Sequence, residues 1–108
     1  MSHVTSIVLI TATEDGAEAD DEHPNVDQLN SFFQNNGHAQ GIQMSQVDSY
    51  AGGGKVMGCD VFMAGINHLN TDEFLEAFYS IQWEAPEYVQ LMLKDEHDER
   101  FTTYEPKI

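Results

Sequence analysis

His68 is the residue whose type and neighbours best suit it to move a proton. It stands between Asn67 and Asn70, where an apolar run gives way to a helical pattern. A neutral imidazole there could act as a general base. Asp60, earlier on the same run, is a candidate to orient it, and His38 is a candidate second proton carrier. No Ser or Cys nucleophile is placed with them by spacing. The plainer expectation is a hydrogen-bonded loop histidine beside a helix cap, so no residue is assigned a catalytic role. Cys59 is the only cysteine. The neighbouring Asp60 carboxylate disfavours its thiolate, so a small buried residue is expected there rather than a nucleophile.

Three other segments have the composition of ligand sites. Six acids, Glu14, Asp15, Glu18, Asp20, Asp21 and Glu22, fall within nine residues. They lack the Asp-x-Asp-x-Asp-Gly spacing of a calcium loop, and a solvated loop able to dock a basic partner is expected. Asp95-Glu96-His97-Asp98-Glu99 offers carboxylates around an imidazole. Alternate side chains diverge in a tight turn, and neither His-Glu-x-x-His nor Cys-x-x-Cys is present. The expected role is a charged hairpin tip that protects a sheet edge. Ala51-Gly52-Gly53-Gly54-Lys55 lacks the wider glycine spacing and following helix of a phosphate loop, and reads as a turn. No metal site and no cofactor are expected.

Charge sets the electrostatic frame. Nineteen acids face four bases, Lys55, Lys94, Arg100 and Lys107, for a formal net charge of -15 on 108 residues. Such a field repels nucleic acid and favours a partner with a basic surface. Most carboxylates have no cation to pair with, so they must lie in water or at a binding surface. The run Ile7 to Ile10 is too short to span a membrane or serve as a signal, and one cysteine permits no intrachain disulfide. A single domain over residues 1–108, cytoplasmic and free of membrane contact, is expected.

The elements that must carry these residues follow from periodicity. Residues 4–12 are β-branched and apolar without alternation, which predicts a central strand covered on both faces. Pro24 opens a helix over 24–36, with Val26, Leu29, Phe32 and Phe33 inward and Asn36-Gly37 as its stop. Residues 41–50 and 56–66 predict an antiparallel hairpin, with Val61, Met63 and Gly65 on one face and Phe62, Ala64 and Ile66 on the other. Asn70 and Glu73 cap a helix over 71–82. A strand over 88–94 turns Val89, Leu91 and Leu93 inward, and a short strand over 100–104 ends the pattern.

The order βαββαβ plus one strand predicts an α+β, ferredoxin-like sandwich, with two helices on one face of an antiparallel sheet. The opposite face would then be open. Met44, Met63, Tyr88 and Met92 are expected on it as an apolar patch, a dimer or docking interface. The two acidic segments should form separate poles, because the strands that lead into them run in opposite directions.

The stretch Trp83-Glu84-Ala85-Pro86-Glu87-Tyr88-Val89-Gln90-Leu91, followed by Asp95, Asp98, Glu99 and Phe101, resembles small uncharacterised acidic proteins of actinobacteria and their phages. The resemblance covers the last third of the chain. It implies a bacterial or phage accessory protein and no catalytic residue.

The function these features favour is non-enzymatic protein binding, as in a phage-encoded or immunity-type inhibitor. Glu14 to Glu22 and Asp95 to Glu99 would steer it toward a basic partner, and the sheet face would dock or form a homodimer. Two alternatives stand beside it. One is a small dimeric enzyme with a pocket near His68; the other is a housekeeping protein of a halophile, acidic by adaptation.

Overall fold

A computed structural model of the chain describes residues 4–12, 24–38, 41–47, 59–83 and 86–106. The first strand, β1 (Val4–Ala12), has its β-branched run paired on both edges. The first helix, α1, spans Pro24–Asn35 and buries Val26, Leu29, Phe32 and Phe33, the stripe its periodicity predicts. Gly37 takes φ 84°, which only glycine adopts without penalty. The His38 N–H then donates to the Phe33 carbonyl at 3.0 Å, closing the helix with a Schellman-type turn.

Strand β2 is only Ser45–Gln46, much shorter than the expected 41–50 among the residues described. Strand β3 (Cys59–Asn67) carries the expected alternation. Helix α2 (Thr71–Ser80) starts at Asn70, whose side chain accepts from the Glu73 N–H at 3.2 Å. It stops two residues short of the expected end, because Ile81 turns extended and is buried. Pro86–Tyr88 form one 3₁₀ turn, then β4 (Gln90–Asp95) and β5 (Thr102–Tyr104) complete the sheet.

Among the described residues the sheet has five strands in the order β2-β3-β1-β4-β5, and every neighbouring pair is antiparallel. The fold is therefore α+β, as expected. Both helices lie over one face. Phe74 of α2 stacks on Phe33 of α1 at 5.6 Å and meets the edge of Phe32 at 5.4 Å. These rings share one core with Ile7, Leu9, Phe62, Ile66, Leu91 and Leu93 from the sheet. Trp83 closes the end of that core against Phe78, its indole N–H donating to the Phe78 carbonyl at 3.4 Å. Among the described residues, no helix is long and apolar enough to cross a membrane.

Three expectations about burial need correction: Cys59 is only partly buried rather than buried, and the other two concern the faces of the sheet. The unbroken apolar run of β1 does not mean cover on both faces. Thr5, Ile7, Leu9 and Thr11 are buried under the helices, whereas Val8 and Ile10 point to the other face and stay half-exposed. Met44 is not on that open face. It is 2 % exposed, in the core. The Asn30 side chain of α1 accepts the Met44 N–H at 2.8 Å, which takes the backbone donor and turns the segment in under the helix.

Candidate functional site

The open face is built by alternation in β1, β3 and β4. Side chains opposite the helical layer are Ser6, Val8 and Ile10 from β1, Val61, Met63 and Gly65 from β3, and Gln90, Met92 and Lys94 from β4. One register row crosses all five strands: Ser45 pairs with Met63, Met63 with Val8, Val8 with Met92, and Met92 with Thr103. At the usual strand spacing that row is roughly 19 Å wide. Met63 within this row is 48 % exposed. A second row sets Ile10 between Val61 and Gln90.

The strand order thus brings Met63 and Met92 together on either side of Val8, as the alternation predicts. Tyr88 is 62 % exposed but sits in the 3₁₀ turn before β4 rather than on the strand. The pattern missed Val8 as the centre of the row, although the absence of alternation in β1 was its signal. Phe101, 43 % exposed, belongs beside this face as well. The β4–β5 register, carried one residue past Leu93 and Thr102, sets it opposite Lys94.

The acidic turn after β4 is tied down at its base. The Asp95 N–H donates to Asp98 Oδ2 at 3.2 Å and the Asp98 N–H to the Asp95 carbonyl at 2.9 Å. Glu96, Asp98 and Glu99 are exposed, and His97 lies 3.8 Å from Glu96 in solvent. Among the described residues, no three His, Cys, Asp or Glu side chains converge as a metal cluster. Asp95 pairs with Thr5, at the start of β1, whereas the chain leaves β1 at Ala12. The segment with Glu14, Asp15, Glu18, Asp20, Asp21 and Glu22 lies outside the described residues, as does the glycine turn 52–54.

A separate hollow of 360 Å³ lies where α1 and β3 both end. Asn36, Gly37, His38 and Ile42 line one side of it, and Ile66, Asn67 and His68 the other. His38 is held there by its bond to Phe33 and by edge-on packing against the Phe33 ring at 5.7 Å. His68 takes φ 59°, a left-handed backbone that turns β3 into α2 within three residues. The hollow joins His68 to His38, as one sequence pairing had it. It does not join His68 to Asp60. Eight positions along an extended strand is roughly 25 Å, so Asp60 cannot orient that imidazole. Asp60 is 7 % exposed, paired across from Thr11 at the far end of the sheet.

The chain matches no family model, no curated protein and no solved structure.

Proposed function

We propose that this chain is a small protein-binding protein, which docks a basic protein surface through the open face of its sheet. One observation carries the reading. The central strand is apolar on both faces, while the helices cover only one, so Val8 and Ile10 lie half-exposed in a band with Val61, Met63 and Met92. Strands with unbroken apolar runs are the usual mark of a sheet buried on both sides. A protein partner would supply a second layer over this face, which no helix among the described residues covers.

Charge selects the kind of partner. Two copies, each at -15, repel one another, which disfavours face-to-face pairing of the chain with itself. A basic surface is attracted by the same field, with an encounter rate that falls as salt rises. Glu96, Asp98 and Glu99 stand exposed at one end of the sheet and would meet the rim of such a partner. An inhibitor that caps a basic protein fits these terms.

We read the topology as a ferredoxin-like plan extended by one strand. The five-strand order is not that of the four-stranded sandwich as it stands. With β5 set aside, β3 lies between β2 and β1, and β1 lies between β3 and β4, which supports the split βαβ reading.

The test is retention of one defined basic protein from the native host on the immobilised chain, with Met63→Asp and Val61→Asp as variants. Binding at low salt that both variants abolish, and that rising salt weakens, supports the reading. Binding indifferent to salt or to both substitutions overturns it. So does a stable dimer of the free chain in sedimentation that Met63→Asp dissociates, which would make a second copy the occupant.

A further inference from the structure

The hollow between α1 and β3 is remote in role from the sheet face. We propose that His38 and His68 form a two-imidazole site for a divalent transition-metal ion of the copper, nickel and zinc class. Four independent features of that place favour a cation with an affinity for imidazole.

The first is the pairing itself. Two residues far apart in sequence line one hollow of 360 Å³, and the ring of one of them, His38, is packed edge-on against Phe33. Imidazole is the commonest transition-metal ligand, and nitrogen donors select copper, nickel and zinc over magnesium and calcium. The second is the backbone at His68. A non-glycine residue at φ 59° is uncommon, and histidine is among the types that adopt it more readily. Glycine would turn the chain there without strain, so the imidazole itself is what histidine adds.

The third is the helix end. His38 follows the C-terminus of α1, where the carbonyl dipoles leave partial negative charge and no basic residue occupies the last turn. The fourth is the acidic turn. Asn67 pairs with Val4 and Asp95 pairs with Thr5, so His68 and the Asp95–Glu99 turn share one end of the sheet, with only β1 between their strands. Two strand spacings are roughly 10 Å, within reach of the field of those carboxylates at physiological salt. Anionic ligands are repelled by the same arrangement.

Two imidazoles leave coordination positions for water or a carboxamide oxygen. The Asn36 Nδ2 is engaged with the Phe32 carbonyl at 2.8 Å, which leaves Oδ1 as the end of that side chain suited to a metal. The site is open, not a closed structural cage.

Copper(II) is the probe, because it heads the affinity order and its electron paramagnetic resonance spectrum reports bound nitrogens. A His3→Gln background, which removes a competing copper ligand, should take up one equivalent with two imidazole nitrogens, and the variants below are made in it. His68→Gly removes the ring and keeps the left-handed backbone free of strain, so the fold is retained; His38→Gln keeps the polarity of its side. Each should weaken copper binding by about tenfold or more, while His97→Gln in the acidic turn leaves it unchanged. Affinity unchanged in His68→Gly or in His38→Gln overturns the proposal, as does a spectrum with fewer than two nitrogens. Loss of copper in His97→Gln moves the ion to the acidic turn and overturns it too.

Discussion

The Thr5 hydroxyl donates to Asp95 Oδ1 at 2.8 Å, across the β1–β4 pair. Thr5 is fully buried and Asp95 half-exposed, so the bond ties the acidic turn to the base of the core. Thr5→Val keeps the shape and β propensity and removes only the hydroxyl. Water can reach the half-exposed carboxylate, which limits the loss to about 1 kcal/mol. Denaturant unfolding should show a lower midpoint with an unchanged slope. A variant as stable as the parent would mean that the bond contributes nothing.

Two glycines separate backbone strain from space. A Cβ at Gly37 would meet nothing within 4 Å, yet its φ is 84°. Gly37→Ala should therefore destabilise by about 1 kcal/mol, through the left-handed penalty alone. A Cβ at Gly65 would touch only Val4 Cγ1 at 3.8 Å, an ordinary contact, and no left-handed backbone is involved. Gly65→Ala should stabilise by about 0.5 kcal/mol or more, because the unfolded chain loses freedom. Thermal melts of the two variants should move in opposite directions.

Phe74 is the ring at which the two helices meet, packed on Phe32 and Phe33. Phe74→Ala leaves a cavity that neither helix can close without losing its seat on the sheet. A loss of about 3–5 kcal/mol is expected, a large share of the 5–15 kcal/mol typical of a domain. Trp83, the sole tryptophan and a buried one, supplies the readout. Its emission should be blue-shifted in the native protein and move to the red in this variant at lower denaturant.

The same residues show what the sequence could reveal and what it could not. The stripes of α1 and α2, the Asn70 cap and the alternation of β3 and β4 are local properties, so spacing alone located them. Of the strand expected over 41–50, the described residues form only Ser45–Gln46, and Asn30, fourteen positions before Met44, takes the Met44 N–H just ahead of it. A tertiary bond from a helix side chain to a backbone donor leaves no local trace. Met44 was therefore expected on the wrong face. The β1 run was legible as apolar, but periodicity cannot tell a covered second face from an open one. His38 and His68 line one hollow because a Schellman turn and a left-handed turn end two distant elements side by side. Proximity of that kind follows from topology, and neither histidine has a ligand spacing along the chain.

Salt should stabilise this protein, and the size of the effect bears on the origin of its charge. At -15, the folded state brings carboxylates closer together than the unfolded chain does, and they repel. Screening reaches about 30 Å at 0.01 M salt and about 8 Å at 0.15 M, so most of that repulsion should vanish between those concentrations. The melting temperature should therefore rise steeply at first and then level off. A core that includes Phe33, Phe74, Phe78, Leu9 and Leu91, all fully buried, should keep the chain folded even at the low end. Circular dichroism across a salt series measures both features. A chain unfolded at 0.01 M and gaining stability into the molar range would need salt to exist, as a halophile protein does. Folding retained at low salt would instead leave the charge free to act as a steering field for a basic partner.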